Sequence, residues 1–309
     1  MPAVSENFGD LLEPGLRKIF TEQYNEMPSM LGALFNMQSS STSYEKDSSV
    51  GSFDDFPVFN GQVSYDEVYQ GYDVTYTPVE FAKGFKVERK LFDDDLYNVI
   101  AKKPAGLSRA AKRSREKYGA QVFNNAFSGS GTLAVGGTTV LSNTEALSLC
   151  NASHTSTAPG VAVQSNSGTS ALSATSVEAT RVLMASFKDD RGNLISVIPD
   201  LILVPRNLEQ KGFEIIASKG KVDSAENNEN FHFGRYKLAV WDFLTDSNNW
   251  FLIDSTTMKD FLQWFDRVPL EFFQDKSFDT LIAKFASYMR FSLGWSDWRW
   301  IYGHNVTGA

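Results

Sequence analysis

The chain has one cysteine, Cys150, so no disulfide can form within it, which fits a reducing compartment. Its three histidines, His154, His232 and His304, lie far apart. No HExxH, CxxC or paired-histidine spacing accompanies them, so the spacing offers no zinc site. No apolar run approaches the roughly 20 residues needed to span a bilayer. The opening MPAVSENFGDLLEP has neither a basic n-region nor an apolar h-region, so no secretory signal is expected. Basic residues are scarce at the start: residues 1–60 hold Arg17, Lys18 and Lys46 against nine acids. Residues 128–173 have no Lys, no Arg, no aromatic residue and a single acid, Glu145. With a net charge of −8, the chain as a whole is not a dedicated nucleic-acid binder.

What is present is an ordinary folded composition, 42% hydrophobic and 21% charged in 309 residues, enough for one large domain or two. The aromatics, 24 of them Phe, suit a well-filled core or large subunit contacts. Around Gln70-Gly71, Tyr65, Glu67 and Tyr69 alternate with Ser64 and Asp66, and Tyr72, Val74 and Tyr76 share one face. That period of two predicts a hairpin. A hairpin alone is marginal in water, so it must lie on its own domain or on a neighbour.

A helix is expected next, from Leu91 to Phe127, with a break at Pro104-Ala105-Gly106. Leu107, Ala110, Ala111, Ser114, Tyr118, Val122 and Ala126 fall at helical spacing. Asp93-Asp94-Asp95 would complement its N-terminal dipole. Residues 5–37 read as an amphipathic segment broken at Pro14, and residues 38–55 as a polar arm with no core of its own. The small-residue stretch 128–173 reads as a long excursion with few fixed contacts and a short strand at Thr138–Leu141. Order returns with a helix capped by Ser173 or Thr175 that presents Val177, Val182, Leu183 and Phe187. A doubly buried strand follows at Leu201–Val204, then a helix from Leu208 to Ile216 capped by Asn207. Two strands joined at Asp246–Asn249, a short helix at Thr256–Trp264 and a strand at VPLEFFQ come next. In the last long run Phe285, Ser287, Met289, Phe291 and Leu293 share one face.

Chemistry is thinly represented. Cys150 and His154 would need an orienting third group to act as nucleophile and base. The Gly129-Ser130-Gly131 and Gly136-Gly137 pieces lack the lysine of a phosphate loop. A basic run does appear in residues 101–127: seven cations against Glu116 alone. Lys102, Lys103, Arg109, Lys112, Arg113 and Lys117 form a candidate basic patch for an acidic protein surface or for phosphates.

The order of parts resembles the major capsid proteins of tailed bacteriophages, the HK97-like fold, and is most similar to Mu-like major head subunits. The resemblance rests on VTYTPVEFAKGFKVERKLFDDD, PDLILVPRNLEQKGFEIIAS and FASYMRFSLGWSDWRWIYG, in that succession. It implies an α+β fold with an N-terminal arm (1–55) and an extended β-hairpin loop (56–90). A peripheral domain (91–171) would carry a spine helix (91–127) and the polar excursion (128–171). An axial domain (172–264) and a C-terminal return (265–309), mainly peripheral strands, would follow. It also implies a virion shell subunit, made in the bacterial host cytoplasm, that assembles into hexamers and pentamers around double-stranded DNA. No catalytic residue, cofactor, metal or membrane contact is implied. The partners would be a portal, a separate scaffold (or none, with no N-terminal cleavage) and a decoration protein. Tyr65, Tyr69, Tyr72, Tyr76, Phe81 and Lys83 would touch the neighbouring subunit, and the basic patch would face inward. Deleting Ser64–Lys83 is then expected to leave a folded subunit that cannot close a shell. The rivals are an encapsulin-like compartment, a tail or accessory virion protein, and a Cys/His hydrolase.

Overall fold

The alternating run near the C-terminus forms the central strand of the subunit. A computed structural model describes residues 6–67, 69–88, 90, 99–220, 229–277 and 282–307, and in it this run is β12 (Ile282–Trp295). Phe285, Ser287, Met289, Phe291 and Leu293 are all buried, as a period of two predicts. β12 pairs antiparallel with β11 (Leu262–Ser277) on one side and with β4 (Val79–Glu88) on the other. β1 (Asn36–Ser39) adds to β11 in parallel, giving the order β1-β11-β12-β4. The β11–β12 register shifts between Asp266 and Val268 and again between Val268 and Glu271. Pro269, which has no N–H for the ladder, falls in the second irregularity.

Helix α3 (Val99–Asn124) packs on β4 and β12 and buries Leu107, Ala111 and Val122 on the expected stripe. The expected break does not occur, because the helix runs through Pro104. Pro104 forfeits one backbone bond, and that loss is confined to the first two turns. Residues 91–98, with the three aspartates, lie outside the described residues. Helix α1 (Glu6–Glu26) likewise runs through Pro14 and lies along α3. Leu16 and Phe20 join Val87, Leu107, Phe272 and Phe285 in a small second core. A one-turn helix, α2 (Leu31–Leu34), leads into β1.

The hairpin around Gln70-Gly71 is not formed. The strand β3 (Gln70–Tyr76) pairs antiparallel with β2 (Glu45–Val50), and residues 51–69 are the connection between them. β3 and β4 are separated by Thr77-Pro78 and enter different sheets. The polar segment 38–55, expected as an arm with no core of its own, supplies the end of β1 and all of β2. β3 continues into β6 (Thr138–Asn143) and β5 (Thr132–Val135), in the order β2-β3-β6-β5.

A five-stranded sheet holds the remaining strands. Its order is β7 (Ser167–Gly168), β13 (Ile301–His304), β10 (Trp250–Ile253), β8 (Leu201–Val204) and β9 (Lys237–Val240). β8, β10 and β13 are buried at every residue, which explains the unbroken apolar runs of β8 and β10. β9 and β10 are the two expected strands, but β8 lies between β9 and β10. β13 joins this sheet rather than that of β11 and β12. Helix α4 (Ala174–Met184) packs on β10 and β13, and α5 (Glu209–Ala217) on β8 and β9. Ser173 caps α4 in a reciprocal box with Ser176. Val177 and Phe187 are buried as expected, whereas Val182 and Leu183 are exposed and Thr180 and Met184 take the inner face. α5 has no side-chain cap, because a short 3-10 turn, Arg206–Leu208, precedes it. Helix α6 (Ser255–Phe261), capped by Asp254, ends where β11 begins.

The excursion 128–173 is packed, contrary to the expectation of few fixed contacts. Its small residues let backbone approach backbone: a Cβ on Gly131 would meet Ala146 Cα and Asn143 O at 2.7 Å. Leu133, Val140, Leu141, Leu149 and Leu172 are buried. Asn166 takes over the work of missing ladder bonds. Its Nδ2 donates to Leu149 O at 2.8 Å and Ile301 O at 3.2 Å, and its Oδ1 accepts from the Asn151 N–H at 2.8 Å. One buried cluster runs from Leu31 and Phe35 through Phe123 to Trp250, Trp264 and Trp300, so the sheets share a core.

Candidate intersubunit surfaces

Two surfaces stand out, and a buried polar frame holds the second of them in the subunit. The frame is set by Arg115 and Glu116, consecutive residues of α3 that point into the protein. Arg115 forms a two-pronged pair with Asp266, 2.8 and 2.9 Å, and lies over the Trp264 and Phe291 rings at 4.8 and 5.5 Å. Trp264 Nε1 donates to the same aspartate at 2.9 Å. The buried Glu116 carboxylate accepts from Ser29 Oγ at 2.5 Å, the Met30 N–H at 3.3 Å and Trp241 Nε1 at 3.1 Å. It thereby ties the N-terminal segment, α3 and the residue following β9 together.

The first surface is the connection 51–69. Phe56 and Val58 are 102% and 93% exposed, and Phe53, Phe59, Val63 and Tyr65 are also exposed. From Asp47 to Ala82 the chain has seven acids and no Lys or Arg. The result is an exposed apolar tip set in an acidic stretch of chain. The candidate contact residues divide. Tyr65 is on this surface and Lys83 is exposed on β4. Tyr69 is half-buried, and Tyr72 is tied by its hydroxyl to Thr155 Oγ1 at 2.7 Å. Tyr76 is fully buried against Phe265 at 5.1 Å, and Phe81 is stacked between Tyr118 and Phe291 at 4.9 Å from each. Tyr76 and Phe81 thus serve their own subunit. The surface residues missed from sequence, Phe53, Phe56, Val58 and Phe59, carry a signal in FDDFPVF. These are large apolar residues beside acids and a proline, fitting neither a helix nor a strand period.

The second surface is the outer stripe of α3. Lys102, Arg109, Arg113 and Lys117 fall one turn or two apart on it, and Lys103 lies beside it; all five are exposed. Among the described residues none of the five forms an ion pair. Arg109 donates to Gln23 Oε1 at 3.2 Å. Lys112 is set apart, half-buried over the Tyr24 ring at 4.7 Å; burial lowers its pKa.

The suspected nucleophile and base are engaged in packing. Cys150 is buried, and burial pushes its thiol far above the ordinary value, opposite to what a thiolate nucleophile needs. His154 stacks on Trp298 at 4.3 Å, with Nδ1 2.8 Å from Glu145 Oε1 and Nε2 3.1 Å from Asn166 Oδ1. Among the described residues no group of three or more His, Cys, Asp or Glu side chains is arranged to hold a metal ion, and no helix is long and apolar enough to cross a membrane.

Comparison with known proteins identifies the family and the fold. A family model described as phage capsid protein matches residues 71–303, well over half of the chain. The decorated capsid of bacteriophage JBD30 is similar, at TM-score 0.53 and 14% identity, covering 71% of this chain and 92% of that one. Mycobacterium phage Patience gives a TM-score of 0.57 at 11% identity over 97% of this chain and 88% of that one. The mature capsid of bacteriophage PhiM1 gives 0.55 at 9% identity over 92% and 88%. At these identities the likeness concerns the fold. None of the curated proteins compared with it matches the chain. Family match and fold agree: the chain belongs to the phage capsid protein family and has the HK97-like α+β fold of tailed-phage capsids.

Proposed function

We propose that this chain is the repeating subunit of a closed phage head, with many copies forming hexamers and pentamers around double-stranded DNA. The observation that carries this is the tip at residues 53–65, whose aromatic side chains are solvated in the single chain. Burying one Phe side chain contributes roughly 2 kcal/mol, so a second copy that covers several supplies a strong drive to associate. The connection 51–69 is the strap laid on a neighbouring subunit. Residues from about 172 to 264 meet their copies around the capsomer centre. The outer stripe of α3 faces the packaged DNA and neutralises phosphates without reading sequence.

Within the family we assign the chain to the Mu-like head subunits, on the three segments PDLILVPRNLEQKGFEIIAS, VTYTPVEFAKGFKVERKLFDDD and FASYMRFSLGWSDWRWIYG. Assembly takes place in the bacterial host cytoplasm, with a portal, a separate scaffold and a decoration protein. The JBD30 capsid, which is decorated with minor capsid protein trimers, supports the last of these. The subunit acts by binding rather than catalysis. The test is electron microscopy of the purified full chain, with scaffold supplied. Uniform shells of hexamers and pentamers are expected; a stable monomer under every assembly condition contradicts the proposal.

A further inference from the structure

The strap is held at its root by its own subunit. The turn Asp189-Asp190-Arg191-Gly192-Asn193 projects from the residues that follow α4, and Gly192 closes it at φ +94°. The turn is itself anchored: Ser156 Oγ donates to Asp190 O at 2.5 Å, and Gln164 Nε2 and Arg299 Nε donate to Lys188 O at 3.0 and 2.8 Å. Asp189 Oδ1 accepts the N–H groups of Arg191 and Asn193 at 2.9 and 2.8 Å. From this base the Arg191 guanidinium reaches both legs of the strap. Nε donates to Ser52 O at 2.6 Å and Nη1 to Asp54 Oδ2 at 2.9 Å on the outgoing leg. On the returning leg Nη2 donates to Glu67 O, and the group lies 5.8 Å from the Tyr69 ring centroid. Asp190 closes the same junction by accepting from the Ser52 N–H at 3.1 Å and from Ser52 Oγ at 2.5 Å. Gly51 leaves the room: a Cβ there would meet Asp190 Oδ2 at 2.7 Å and Tyr69 O at 2.9 Å.

We propose that Arg191 is a positioning residue for assembly: it staples both legs of the strap to the 189–193 turn and so fixes the direction in which the tip leaves its subunit. The reading rests on the strap engaging a second copy. The geometry explains why an arginine is needed. Its N–H groups, spread over three nitrogens in one plane, reach two backbone carbonyls and one carboxylate on the two legs at once, whereas the three donors of an ammonium all leave a single nitrogen. The side chain is only 11% exposed, so water competes weakly for these bonds. Without Arg191, three carboxylates, Asp54, Asp189 and Asp190, would face one another around the junction with no cation between them.

The test is hydrogen exchange by mass spectrometry on the full chain, comparing R191A and R191K with the natural sequence. In R191A, exchange at residues 51–54 is expected to rise about tenfold while β8 keeps its protection, since the junction opens locally rather than globally. R191K is expected to fall between the two. By electron microscopy R191A should give fewer closed shells and more irregular ones. Unchanged protection of residues 51–54 in R191A overturns the proposal. If β8 also loses protection, R191A has lost the fold and R191K decides by the same readout: faster exchange at residues 51–54 with β8 still protected supports the staple, and no change overturns it. Failure of the natural chain to form shells counts against the shell function, whereas exchange at residues 51–54 tests the staple independently of it.

Discussion

Arg115 shows how a single cation can be structural in the middle of a basic helix. Six of the seven cations in residues 101–127 are solvated or half-buried, while Arg115 is buried in a forked pair with Asp266. Removing one partner leaves the other charge uncompensated, so R115A is expected to lose about 3–5 kcal/mol of stability. A urea midpoint unchanged from the natural protein would contradict that. His304 offers a second residue-scale test. Its ring stacks on Trp250 at 4.3 Å, Nδ1 accepts from the Ser170 N–H at 3.1 Å, and Nε2 lies 2.8 Å from Thr180 Oγ1. Thr180 Oγ1 already donates to Ser176 O, so Nε2 carries the proton and the ring is neutral. Burial lowers its pKa from 6.5 to about 4. The folded form therefore binds the proton less readily than the unfolded chain. The associated stability is whole above about pH 6.5 and is lost as pH falls toward about 4, at about 1.4 kcal/mol per pH unit. H304F keeps the stack without the titration and should show a shallower loss of urea midpoint between pH 7 and pH 4.5. An equal slope in the two proteins would rule out His304 as the source.

At the scale of elements, the strap's boundaries matter most. The span Ser64–Lys83 includes β3 and half of β4, with Val74 and Tyr76 in the core. Deleting it would remove strands from two sheets, so the expected folded subunit would not survive. Replacing residues 55–65 by a short Gly-Ser link removes most of the tip and keeps Ser52, Asp54 and Glu67 for Arg191. That variant is expected to keep the natural thermal midpoint within a few degrees and to form no closed shells; normal shells from it would contradict the strap. These boundaries were hard to read because β2, EKDSSV, has no apolar face and residues 53–65 are exposed throughout, so neither leaves a period. By contrast, β12 and β8 were legible, one as strict alternation and the other as an unbroken apolar run, because burial writes those patterns directly. The packed state of residues 128–173 was not, since it depends on close backbone approach at Gly131 and on Asn166, and neither produces a periodic signal. Of the candidate contact residues, Tyr65 lies on the exposed tip while Tyr76 belongs to the core. Alternation showed which residues share a face but not which partner covers it.

For the whole molecule, charge is partitioned in a way that suits a shell. The strap region from Asp47 to Ala82 has seven acids and no Lys or Arg, whereas α3 presents five exposed cations on or beside one stripe. Replacing Lys102, Arg109, Arg113 and Lys117 together by Glu leaves the buried core untouched, so the subunit should fold and its particles should protect less DNA from nuclease. Full DNA-filled heads from that variant would remove the inward-facing assignment. The central claim is that the solvated tip becomes buried on another copy. An electron-microscopy map of particles assembled from the full chain tests it most directly. Density for Phe53, Phe56, Val58 and Phe59 is expected to be packed on a neighbouring subunit; closed particles in which those side chains project into solvent would contradict the strap.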